Sequence, residues 1–189
     1  SKGLIGLSAC LAGEIPRAIV ENNYDRAREL AIEYNEIFGE GNFFLEMQSN
    51  GIDEQVLVNQ GIVRLSRELN IPLVATNDAH YLTRDDYYSH EVLLCIQTAK
   101  RMSDSDRMSF STNEFYLKSP EEMKERFKNF PEAITNTLKI ADMCNVEFEF
   151  GKLKLPEFKI DTNMTHEEYF VKRCMDGLNE RYFGDVTQD

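Results

Sequence analysis

The stretch IPLVATNDAHYL, residues 71–82, decides how this chain is read. Pro72 opens a short apolar run of Leu73, Val74 and Ala75, the pattern of a buried strand. The run then turns polar, with Asn77, Asp78 and His80 inside four residues. A strand that continued through them would point Asp78 and His80 to one face. A carboxylate beside an imidazole suits a divalent transition metal. The competing reading is a turn, in which Asn77 and Asp78 bond their own backbone and His80 packs. Spacing leaves both open.

Outward from this stretch the chain alternates. Upstream, LIGLSA reads as a short buried strand, followed by a turn at Gly13 and a helix from about Pro16. Residues 25–39 read as a helix, with Ala27, Leu30, Ala31, Tyr34, Ile37 and Phe38 at three- and four-residue spacing and Gly39 closing it. NFFLEMQS reads as a strand. The next helix takes Asp53 as its cap and Val56, Leu57, Ile62, Leu65 and Leu69 as its inner face. After PLVATN comes a helix in RDDYYSHEVLLCIQTAK. Strand and helix alternate three times, which predicts a parallel sheet with crossover helices, doubly wound or a barrel. In both, chemistry gathers at the C-terminal ends of the strands, where TNDAH lies.

The remainder is more helical. Ser119, Pro120, Glu121 and Glu122 form a capping signature, and a second helix opens on Pro131. Residues 146–158 alternate apolar and charged residues and read as extended. Thr165 caps a last helix that runs to Gly184. The boundary is placed between 1–150 and 151–189, in the Pro-containing stretch around Gly151 to Thr165. Neither an internal repeat nor a low-complexity tract is visible.

Composition bounds the function. The chain has 189 residues, 42% hydrophobic, 29% charged and 11% aromatic, and these values predict a folded domain. Its formal net charge of −12 argues against gripping a nucleic-acid backbone through clustered Lys and Arg. An acidic chain acting on nucleic acid needs metal ions or a basic neighbour. No apolar run approaches the roughly 18 residues of a membrane span, and no secretory leader is expected at the start. Cys10, Cys95, Cys144 and Cys174 form no CxxC pair, so a reducing cytoplasm is expected, with most of the four buried. No GxGxxG, GxxxxGK[ST], GxSxG or HExxH occurs.

Other single residues carry open readings. Cys10 follows the first strand and is either a metal ligand or nucleophile, or a small packed residue. Glu46, inside an apolar strand, needs a metal, an Arg or a solvated edge. His90 is expected to pack or cap, and His166 to sit solvated in a first helical turn. Phe43, Phe44, Tyr87 and Tyr88 read as packing residues.

The ordered set LSACLAGEIPRAI, FFLEMQSNG, PLVATNDAHYL, SHEVLLCIQTAKRMSD, EFYLKSPEEM, PEAITNT and IADMCNV resembles the N-terminal region of the bacterial replicative DNA polymerase III alpha-subunit family. The resemblance covers essentially the whole chain. In that family the region is the PHP (polymerase and histidinol phosphatase) domain, and it implies a partial TIM-like barrel of parallel strands around a metal cluster. TNDAH matches the family's final D-x-H motif, so the resemblance implies that Asp78 and His80 are ligands, and it implies the same of Cys10. Earlier family ligands, including an HxH motif, have no counterpart here. The chain therefore looks like the later half of the PHP domain, with the segment from about Gly151 leading toward the polymerase palm, whose carboxylates are expected beyond Asp189.

The resemblance further implies a parent that is a DNA-directed DNA polymerase, using Mg²⁺ and working on DNA and dNTPs with other replisome subunits in the cytoplasm. Its PHP site, holding Zn²⁺, Mn²⁺ or Mg²⁺, is associated with 3′-to-5′ proofreading. The fragment alone is expected to be inactive, to contribute no palm catalytic residue, and to self-associate through an exposed strand edge. Three alternatives stand beside this: a structural, partner-docking PHP domain whose metal site has decayed, part of a stand-alone PHP phosphoesterase, and a non-enzymatic interaction module.

Overall fold

The computed structural model describes residues 2–156, 158–160 and 163–182. They divide into two compact units, 1–145 and 146–189. In the first unit the order is β1 (Gly6–Leu7), α1 (Glu14–Val20), α2 (Tyr24–Phe38), β2 (Phe43–Met47), α3 (Asp53–Leu69), β3 (Leu73–Ala75) and, after a short 3₁₀ turn at Arg84–Asp86, α4 (Tyr87–Gln97), α5 (Pro120–Arg126) and α6 (Pro131–Met143). The second unit holds α7 (His166–Arg181).

The three strands are parallel, in the order β1-β2-β3. Gly6 pairs with Phe43 and Leu7 with Phe44, while Leu45, Glu46 and Met47 pair with Leu73, Val74 and Ala75. Helices connect the strands as crossovers, so the first unit is a partial α/β barrel, as the alternation predicts. Phe43, Phe44, Leu45 and Met47 of β2 are all fully buried, because the central strand is covered on both faces. Each such side chain contributes about 1.5–3 kcal/mol by leaving water.

The first strand is shorter than the six residues LIGLSA. Leu4 is exposed, and Ala9 takes a left-handed φ of 64°, which turns the chain out of the sheet. Pro16 lies inside α1, whose first residue is Glu14.

The inner face of α3 is in part the one expected: Ile62 and Leu65 are buried and Leu69 packs against the core, but the first turn differs. Val56 and Leu57 are 59% and 48% exposed, and the buried set is Gln55, Val58, Ile62 and Leu65, at three- and four-residue steps. Ile52, not Asp53, is the N-cap of α3. At Gly61 the helix passes so close to α1 that an added Cβ would lie 2.8 Å from Ile19 Cδ1.

On the far side, α6 covers β3, and the Asn136 side-chain amide donates to the Leu73 carbonyl at 2.7 Å. This satisfies an acceptor on that edge of the sheet.

The expected caps Ser119 and Thr165 are both present, and each forms a capping box, Ser119 with Glu122 at α5 and Thr165 with Glu168 at α7. Residues 146–156 form no strand. The helix α7 ends at Arg181 among the described residues, and Gly184 lies outside them. Only Cys95 of the four cysteines is buried; Cys10, in the loop after β1, Cys144, at the end of α6, and Cys174, on α7, are exposed, contrary to expectation.

Candidate functional site

All three parallel strands deliver their C-terminal ends to one edge. There β1 leads to Ser8 and Cys10, β2 to Gln48 and Asn50, and β3 to Thr76, Asn77, Asp78 and His80. The last strand stops at Ala75, so extended backbone does not place Asp78 and His80 on one face. Asp78 instead takes a left-handed φ of 47°, a conformation that Asp tolerates better than most residues. That turn folds the carboxylate back onto the ring, with His80 Nε2 lying 3.3 Å from Asp78 Oδ1. The two residues therefore meet through a turn, not through a continued strand.

The segment after the turn is fastened to a second stretch of chain. The His80 N–H donates to the Phe115 carbonyl at 2.7 Å, and the Leu117 N–H donates to the Tyr81 carbonyl at 3.0 Å. Aromatic rings then pack against one side of the imidazole, which stays exposed on the other. Phe110 lies 4.9 Å away, Phe115 5.4 Å edge-on and His90 5.7 Å edge-on, centroid to centroid. His90 packs, as expected. Burial holds its imidazole below the usual histidine range, and the neighbouring His80 adds to this. His90 Nδ1 and Asn77 Oδ1 are buried without a hydrogen-bond partner among the described residues.

Glu46 is half-buried, and among the described residues no arginine pairs with it. Its carboxylate accepts from the Thr76 hydroxyl and, at 3.4 Å, from the Gln48 amide, while its backbone N–H donates to Ser8 Oγ at 2.8 Å. Cys10 lies in the loop after β1, beside a small cavity that it lines with Glu46, Gln48 and Asn59. Its carbonyl accepts from Gly13 at 2.8 Å, and a Cβ at Gly13 would lie 2.6 Å from the Ser8 carbonyl, so this tight turn requires glycine. Phe43 and Phe44 are core residues, whereas Tyr88 is exposed. His166 is exposed, and its Nε2 lies 2.8 Å from the Phe158 carbonyl.

Composition and spacing gave no hint of the amide network that joins these strand ends. Asn50 is fully buried; its N–H donates to Gln55 Oε1 at 2.6 Å, and its side-chain amide donates to the carbonyls of Asn77 and Glu114 at 3.2 and 2.9 Å. Gln55 donates to Asn50 Oδ1 at 3.1 Å. The step from Gln55 to Val58, Ile62 and Leu65 carries the signal that would have placed Gln55 inward. Nearby, Glu114 takes Arg84 at 3.0 Å and also Arg126, and the Lys118 ammonium donates to the Glu114 carbonyl. Burial, then Arg126, pulls the Lys118 ammonium below its ordinary range.

Asp78 and His80 are the kinds of donor a divalent transition metal takes, but two donors do not close a coordination sphere. Among the described residues no three of His, Cys, Asp and Glu gather to hold a metal ion.

The first 50 residues, which carry β1 and β2, match the PHP domain family. Over almost its whole length the chain is related to DNA polymerase III subunit alpha. It is 41% identical to that protein from Borreliella burgdorferi and 43% identical to that from Campylobacter jejuni, each over 96% of the chain. It is 37% identical to the Thermus aquaticus protein over 100% of the chain. The chain spans only 16–17% of the length of these relatives. No helix among the described residues is long and apolar enough to cross a membrane.

Proposed function

We propose that this chain is the PHP-bearing segment of a replicative DNA polymerase III alpha subunit, and that Asp78 and His80 lend two donors to a divalent-metal site at the C-terminal edge of its sheet. The similarity across the whole chain supports the first statement. The approach of Asp78 Oδ1 and His80 Nε2 to 3.3 Å supports the second. Cys10 joins this reading on the resemblance alone. When bound, Zn²⁺, Mn²⁺ or Mg²⁺ would supply positive charge and a polarised water for phosphodiester hydrolysis, a 3′-to-5′ proofreading reaction. The chain's own contribution is to hold the Asp78 carboxylate and the His80 ring in fixed register beneath Phe110 and Phe115. The parent would work in the cytoplasm on DNA and dNTPs with the other replisome subunits, its polymerising step depending on Mg²⁺ and on residues of the palm.

A structural, docking role for the domain is a second reading. It is favoured by the buried Asn50–Gln55 network, which ties the strand ends together with neutral amides rather than with charged ligands.

The test is calorimetric titration with Zn²⁺ and Mn²⁺, together with a nuclease assay on single-stranded DNA. The unmutated chain should bind one ion weakly, and Asp78→Ala or His80→Ala should abolish binding. Nuclease activity should not exceed that of a Cys10→Ala, Asp78→Ala double variant. Metal binding that survives loss of both Asp78 and His80 would refute the ligand assignment. Robust hydrolysis by the unmutated chain would refute its inactivity in isolation.

A further inference from the structure

We propose that Glu91 is a positioning residue for His80, acting through Arg107 and the Phe110 backbone; this rests on the reading of Asp78 and His80 as metal donors. Glu91 lies on α4 between His90 and the buried Leu94 and Cys95, and is 2% exposed. A carboxylate in such surroundings is unfavourable unless it is both paired and hydrogen-bonded, and an apolar residue would pack there at less cost.

Both of its oxygens reach the same segment, residues 98–114, which forms no helix or strand. Oε2 pairs with the Arg107 guanidinium, and Oε1 accepts the Phe110 N–H at 3.1 Å. One turn earlier on α4, the Tyr87 hydroxyl donates to the Phe110 carbonyl at 3.0 Å. Tyr87 and Glu91 are four residues apart and share a helix face. That face therefore holds both backbone groups of Phe110, as a neighbouring strand would.

The consequence falls on the site. Phe110, fixed by its backbone, presents its ring 4.9 Å from His80, 5.0 Å from His90 and 4.5 Å from Phe115. It is the nearest of the aromatic rings that pack against the half-exposed His80 imidazole. Ring orientation decides where a ligating nitrogen points, and groups that fix it are worth roughly tenfold or more in metal affinity. Glu91 touches no reacting atom; it sets the direction of one.

Histidine imidazole resonances of the full chain test this, because its three histidines give an internal control. In Arg107→Gln and in Glu91→Gln the signals of His80 and His90 should move while those of His166 stay, and Zn²⁺ affinity should fall about tenfold. Lys100→Gln, which breaks the exposed Lys100–Asp106 pair of the same segment, should change neither. Folded variants whose His80 signals keep their original positions overturn the proposal. So do His80 signals that move with no loss of Zn²⁺ affinity. If Glu91→Gln does not fold, Arg107→Gln decides alone, since Arg107 lies nearer the surface. If Zn²⁺ leaves the His80 signals of the unmutated chain unperturbed, the metal reading fails; the movement of His80 in the variants still decides the positioning role.

Discussion

Tyr24, at the first position of α2, shows how a single side chain couples the fold to pH. Its hydroxyl donates to Glu68 Oε2 at 3.1 Å, and the Arg64 guanidinium lies over its ring, 3.8 Å from the centroid. Burial first, and then the Glu68 carboxylate, push its phenol up to about 12. The folded chain thus keeps this proton to higher pH than the unfolded chain, whose phenol titrates near its ordinary value of about 10. The stabilisation is fully present below pH 10 and is lost as pH rises from there toward 12. In a tyrosinate absorbance titration, Tyr24→Phe should remove one late component near pH 12, and its denaturation midpoint should fall less steeply across that interval. Identical titration curves for the two proteins would refute the assignment. At this scale the pair Asp78 and His80 was legible two residues apart, though the left-handed turn that joins them was not. Glu91, Phe110 and Asn50 were not legible, because their meaning comes from partners 16 to 64 residues away.

Among the elements, α3 carries the sharpest test of packing. Gly61 faces α1, and Ala in its place would put a Cβ 2.8 Å from Ile19 Cδ1 and 2.9 Å from Cγ2. In an exposed helix the same change would stabilise by about 1 kcal/mol, but overpacking a buried contact costs about 1–3 kcal/mol. Ile19 is itself buried, so the clash is expected to win. Gly61→Ala should lower the urea midpoint with an unchanged slope, by about 1 kcal/mol. A raised midpoint would show that Ile19 yields freely. The helix caps were readable in advance: Ser119 with Glu122 and Thr165 with Glu168 are local signals, complete within four residues. The buried face of α3 was harder. Gln55 is inward because Asn50 and Gln48 meet it there, whereas hydropathy placed Ile62 and Leu65 correctly but put Val56 and Leu57 in the first turn of that face.

Across the whole molecule, stability is distributed unevenly. The first unit has a single core of Ile15, Phe43, Leu45, Ile62, Leu65 and their neighbours. In the second unit α7 buries no residue; it is held by its capping box and by a Lys172–Asp176 pair at 2.5 Å. Isolated helices of this length are marginal in water. Native-state hydrogen exchange should therefore find α7 amides exchanging orders of magnitude faster than those of α3, which should open only with global unfolding. Equal protection of the two helices would contradict this. The sequence by itself determined the alternation of strands and helices, the parallel sheet and the Ser119 and Thr165 caps, because periodicity and capping act within a few residues. Only the tertiary structure decided where β1 and β3 stop, that Gln55 faces inward on α3, and that Glu91 and Tyr87 hold the Phe110 backbone beside His80. Those outcomes depend on contacts between residues far apart in the chain, and local patterns do not encode which distant polar groups will find each other.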